Sequence, residues 1–434
     1  MKYDIPQPVR TDGDTSWFTE ARFGMFIHWG LYALAARHEW VKSIERISDA
    51  DYQKYFERFD PDLFDPDAWA QAAADAGMKY FVITTKHHEG FCLWDSKLTD
   101  YKATNTPAGR DLLRPMVEAF RKRGMRVGFY HSLLDWHHDH YTIDQHHPAR
   151  DGDVAAFDKG RDLSKYTDFL HAQTRELLTE FGRVDILWYD FSPAASDRFP
   201  GKGKNEWRSD ELIKLVRSLQ PKIILDDRLE IDQDLKTPEQ FQPAGWVQVN
   251  GKPVVWEACQ TFSGSWGYHR DEASWKSVDL LIRMLVDTVS KGGNLLLNVG
   301  PTGRGEFDHR ALERLAGIGR WMRRHGRSIY GCTQAPSDMH APSDVRYTFN
   351  PATERLYAHL FAYPFRHLFL PGLKGKVKYA QLLNDASEVK ILASVPEHGY
   401  GAGVEGQSKR DAITLELPIP GPNEPVPVVE LFLK

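Results

Sequence analysis

Seven short apolar runs punctuate the chain: FGMFIHWG at 23–30, YFVITTKHH at 80–88, RVGFYHS at 126–132, VDILWYD at 184–190, KIILDDR at 222–228, VVWEAC at 254–259 and GNLLLNVG at 293–300. Each is continuous rather than alternating, the pattern of strands buried on both faces of a parallel sheet. Helical periodicity fills the gaps. Residues 276–291 set Val278, Leu281, Ile282, Leu285, Val286 and Val289 along one stripe. Pro115 suits the first turn of a helix that Gly124 ends, and Ser209 and Pro221 read as N-cap and stop of another. Alternation on this scale predicts an α/β fold. With an eighth strand placed around RSIYGC (327–332), it predicts a TIM-like (β/α)8 barrel over residues 1–334 rather than an open doubly wound sheet, for which no GxGxxG follows the first strand.

From about residue 335 the pattern changes. VRYTFN, RLYAHLFAY, HLFLPGL, VKYAQLLN, EVKILAS, AITLELP and VPVVELFLK are short, closely spaced strands separated by Pro, Gly and Asn turns. They predict an antiparallel β-sandwich domain over 335–434.

The ends of the apolar runs carry the chemistry. In a barrel of parallel strands the carboxyl ends form the active face. Here those ends present His28 and Trp29; His87 and His88; Tyr130 and His131; Asp190; Asp226, Asp227 and Arg228; Glu257; and Asn298. For Asp226, Asp227 and Asn298 the plainer reading is that they satisfy loop backbones. Adjacent histidines on a strand point to opposite faces, so His87 and His88 are expected to diverge.

Two chemistries suit such a face. A metal-dependent hydrolase would use imidazoles with a carboxylate, but the first strand reads IHWG, not His-x-His, and WHHDHYTIDQHH (136–147) reads as a loop at the pocket rim. Glycoside cleavage needs two carboxylates flanked by hydroxyl-binding groups and an aromatic platform. Asp190, at a strand end, suits the nucleophile; Glu239 lies in a loop open to a mobile acid/base, but from the residues alone its plainer reading is an exposed loop glutamate.

Composition narrows this further. With 41% hydrophobic and 26% charged residues the chain is ordinary for a globular protein. A net charge of -5 gives no nucleic-acid footprint, and no apolar run is long enough to span a membrane. Three scattered cysteines form no disulfide framework or metal knuckle. The absence of an apolar leader implies a cytoplasmic location unless a signal peptide was removed. A wealth of 13 Trp, 17 Tyr and 18 His fits a sugar pocket.

Taken together, FGMFIHWGLYAL…HEW, TTKHHEGFCLWDS, GFYHSLLDWHH, ILWYD, LDDR, TPEQF, VVWEAC…SWGY and LVDTVSKGGNLLLNVGPTGRG resemble the α-L-fucosidases of glycoside hydrolase family 29, in order from about residue 16 to 332. The resemblance implies a retaining, exo-acting hydrolase of fucosylated glycans that needs neither metal nor organic cofactor; a homo-oligomer is left open. It implies Asp190 as nucleophile and Glu239 as acid/base, with Glu257 as second choice. It further implies sugar contacts from His28, Glu39, Trp40, His87, His88, Tyr130, His131, Arg228 and Glu257, and an aromatic wall at Trp266 for the C5 methyl. The chain departs from commoner family patterns at HEW, at FYHS and at WYDFS, all expected to line the rim beyond the fucose subsite. A metal-dependent barrel hydrolase and a catalytically silent fucose-binding protein are the remaining rivals.

Overall fold

The seven apolar runs become one curled parallel sheet. In the computed structural model, which describes residues 3–392 and 411–434, the first five strands are β1 (Phe23–Ile27), β2 (Tyr80–Lys86), β3 (Arg126–Ser132), β4 (Ile186–Asp190) and β5 (Ile224–Leu225). A small hairpin of β6 (Gln248–Val249) and β7 (Lys252–Pro253) precedes β8 (Glu257–Thr261) and β9 (Asn294–Val299). The sheet order is β5-β4-β3-β2-β1-β9-β8.

The segment 235–239 closes the gap between the two edges, β5 and β8. Leu235 bridges Asp226, Lys236 bridges Trp256 and Glu239 bridges Cys259, all in parallel. The backbone confirms the insertion: Lys236 N–H donates to Val255 O at 3.0 Å, Glu257 N–H to Lys236 O at 2.9 Å and Gln240 N–H to Cys259 O at 3.0 Å. This irregular eighth stave replaces the strand expected at 327–332. That stretch instead begins as a 3-10 turn (Gly326–Ser328), and the chain after it joins the antiparallel sheet. The barrel slot it was meant to fill is already occupied.

Side chains alternate across the staves as the pleat requires. Phe26, Val82, Tyr130, Ile186, Trp188, Ile224, Cys259 and Leu296 fill the interior, while Met25, Phe81, Phe129, Leu187 and Leu297 pack outward against helices. Burial of each such side chain contributes about 1.5–3 kcal/mol. The helix Val278–Ser290 follows the predicted stripe and starts on Ser277, whose side chain accepts from Leu280 N–H. In the helix Ser209–Leu219 the expected cap is displaced by one residue. Ser209 is buried inside the first turn, and Arg208, at φ 48°, occupies the N-cap.

The C-terminal strands are β10 (Thr333–Gln334), β11 (Val345–Asn350), β12 (Arg355–Leu360), β13 (His367–Leu370), β14 (Val377–Leu382), β15 (Lys390–Leu392), β16 (Ile413–Glu416) and β17 (Val428–Leu433). They form antiparallel sheets ordered β10-β11-β12-β17-β14 and β13-β16-β15 over a shared apolar core. The last two positions of the predicted strand EVKILAS, 393 and 394, lie outside the described residues.

Candidate active site

At the carboxyl ends of the staves the barrel opens into a narrow pocket of about 60 Å³. Phe26, Trp188 and Cys259 form its floor, and His28, His87, His88, Tyr130, Asp190 and Glu239 face into it from the walls.

Asp190 ends β4 and is held from two sides. Tyr130 Oη donates to its Oδ2 at 2.7 Å, and Arg228 Nη1 donates to Oδ1 at 3.1 Å. Burial raises the carboxyl above its ordinary range, and the Arg228 charge and the Tyr130 hydrogen bond oppose that rise. The other guanidinium terminus, Arg228 Nη2, donates to Glu239 Oε2 at 2.9 Å. One arginine therefore spans both carboxylates. It lies 4.8 Å over the Trp188 ring, and its Nε is pinned to Thr237 Oγ1 at 3.0 Å. Glu239 is 41% exposed on the rim, on a stave hydrogen-bonded to β8 rather than in the mobile loop expected.

His28 and His88 are held as neutral groups, burial pushing both well below the ordinary histidine range. His28 Nδ1 lies 2.7 Å from Asn298 Oδ1, and Asn298 Nδ2 donates to Trp266 O at 2.6 Å, which orients the amide. His28 Nδ1–H is thus the donor, and Nε2 offers a lone pair to a ligand hydroxyl. Burial and the neighbouring His87 push His28 well below the ordinary histidine range. His88 repeats the arrangement: Ser132 Oγ donates to Leu134 O at 2.8 Å, so it accepts from His88 Nδ1 at 2.6 Å. His88 Nε2 then points toward Asp190 Oδ2, 3.7 Å away.

His87 and His88 were expected to diverge, yet both face the pocket with ring centroids 4.1 Å apart. The reason is local. β2 ends at Lys86 after a register irregularity, so pleated alternation stops before the pair. Gly90 then turns the chain at φ +87°, where a Cβ would meet Asp135 Oδ1 at 2.2 Å.

Three expected sugar contacts lie elsewhere. His131 is one residue from the inward Tyr130 and so faces out of the barrel, fully buried, with Nδ1 3.0 Å from Thr85 Oγ1. Glu257 opens β8 instead of ending a strand, which puts it at the barrel floor beneath the pocket. Tyr80 Oη donates to its Oε2, and burial pushes its carboxyl up to about 8. Glu39 sits beside the pocket, its Oε2 accepting from Trp266 N–H at 3.1 Å and Gly267 N–H at 2.8 Å. It holds the loop that carries Trp266. The other expected residues, His28, Trp40, His87, His88, Tyr130, Asp190, Glu239 and Trp266, converge on the pocket, and Arg228 ties its carboxylates together.

Sequence reasoning placed FYHS and WYDFS at the rim without singling out Ser132 or Phe191, and gave Glu89 no role. Glu89 is buried with Oε2 3.6 Å from His87 Nδ1, and its place in KHHEG was the available signal. The 136–147 stretch packs as a strap. His137 stacks on Tyr101 at 3.7 Å, and His146 reaches the rim against Trp40 at 5.3 Å. Among the described residues no group of three or more His, Cys, Asp or Glu side chains gathers in a metal-binding arrangement.

The α-L-fucosidase family matches residues 7–327 of the chain. The fold is similar to that of α-L-fucosidase isoenzyme 1 from Paenibacillus thiaminolyticus, 45% identical, with 97% of this chain and 98% of that one covered and a TM-score of 0.89. A GH29 α-L-fucosidase from Bacteroides thetaiotaomicron, trapped as a covalent intermediate with 2-fluoro-fucosyl fluoride, is 27% identical, covers 100% of this chain and 98% of its own, and has a TM-score of 0.82. Human plasma α-L-fucosidase is 29% identical over 93% of this chain and 85% of its own length.

Proposed function

The chain belongs to the α-L-fucosidase family, glycoside hydrolase family 29, and from that premise we propose that it removes terminal α-L-fucosyl groups from glycans by double displacement. In this reading Asp190 attacks the anomeric carbon and forms a covalent fucosyl-enzyme. Glu239 first protonates the departing oxygen and then, as carboxylate, takes a proton from the water that releases fucose.

The observation that carries the reading is the Arg228 bridge between Asp190 and Glu239. Its charge opposes the effect of burial on Asp190, and one guanidinium within hydrogen-bond reach of both carboxylates sets them on the same side of the pocket, which supports a two-carboxylate mechanism. The lone pairs of His28 and His88 suit sugar hydroxyls. Trp266, with Phe26 at 5.8 Å, offers an apolar surface that suits the methyl of a 6-deoxy sugar and leaves a 6-hydroxyl without a partner. A proton NMR time course on an aryl α-L-fucoside tests it. Fucose released first as the α anomer is expected, whereas first release as the β anomer would remove the nucleophile role from Asp190.

A further inference from the structure

Phe191 follows Asp190 directly and has φ +75°. Glycine adopts that left-handed backbone freely, while a bulky side chain resists it, so such a residue is held there by its surroundings and marks a place where the delivered side chain matters. What the backbone delivers here is a ring at the pocket mouth. The Phe191 ring meets His146 edge-on at 4.8 Å, Trp40 at 5.4 Å and His88 at 5.7 Å. The rings it joins come from loops after β1, β2 and β3. Phe191, Trp40 and His146 are all partly exposed, whereas the pocket floor is closed off from solvent. Because the pocket is narrow and its floor is closed, whatever a terminal fucose is attached to must leave through the mouth that these rings border.

Resting on the fucosidase reading, we propose that Phe191, with Trp40 and His146, forms the leaving-group subsite and selects substrates whose leaving group is a pyranose. An aromatic face fits the apolar C–H face of a sugar ring, and water leaves both surfaces on contact. A leaving group too small to reach the rim gains nothing from it.

The test compares kcat/KM on α-L-fucosyl fluoride with kcat/KM on α1,2-, α1,3-, α1,4- and α1,6-linked fucosyl disaccharides. In Phe191→Gly the disaccharide-to-fluoride ratio is expected to fall about tenfold for the preferred linkage, the worth of one aromatic contact. Phe191→Tyr should keep the ratio within about twofold, and Phe191→Leu, which keeps apolar bulk in case the glycine variant does not fold, should lose it. An unchanged ratio overturns the proposal. So does an equal loss on both substrate types, which would make the ring a support for Asp190 and His88. If the wild-type protein turns over neither fluoride nor disaccharide, the fucosidase reading itself fails.

Discussion

Asp190 and Glu257 are carboxyl groups inside the same barrel, one at its mouth and one at its floor. Burial raises both above their ordinary range. Their partners differ. Asp190 has a guanidinium at 3.1 Å and a phenol at 2.7 Å, and it opens onto the pocket. Glu257 has the uncharged Tyr80 phenol, and its carboxyl is pushed up to about 8. The same burial is therefore opposed by a charge in one place and unopposed in the other, because one arginine leans over only the first.

The largest expected effect tests the mouth directly. Asp190→Ala should lower kcat by about 10³-fold or more with near-native circular dichroism; activity within tenfold of wild type would refute a covalent role. Next comes the arginine that separates the two sites. Arg228→Met should cost roughly 10²-fold in kcat/KM. Losing the guanidinium raises the Asp190 pKa, so the acidic limb of the pH–kcat/KM profile should move to higher pH. A limb that stays in place would mean Arg228 does not hold Asp190 ionised.

The smallest effect belongs to the floor. At low pH, where the carboxyl is protonated in the folded and unfolded chains alike, Glu257→Gln, a near isostere, should change stability by only about 1 kcal/mol. Its signature lies in pH dependence. The folded carboxyl holds its proton up to about 8 while the unfolded one releases it near 4.5, so folding is stabilised below that window and loses stability as pH rises through it. Thermal unfolding between pH 5 and pH 8 should show a smaller fall in Tm for the variant than for the wild type. Equal falls would assign the pH dependence to other groups.

The contrast also explains what could be read from the residues alone. Runs such as ILWYD announce a strand, because both faces are buried, and its working end, because the apolar pattern stops at an ionisable group. VVWEAC misleads for the converse reason. Its apolar part precedes the strand, and the strand itself carries Glu257, Gln260 and Thr261. Tyr130 and His131 differ only in pleat parity, which register fixes and composition does not. The stave at 235–239 has no apolar run to announce it, since its backbone bonds satisfy β5 and β8 at irregular intervals. Phe191 hides its left-handed backbone behind an ordinary strand-ending residue type.

That irregular stave joins two events usually thought of separately. The piece of chain that shuts the barrel is the piece that holds Glu239. On the role proposed for Glu239, a barrel open between β5 and β8 would lack its proton donor, and turnover of a sugar substrate would report ring closure.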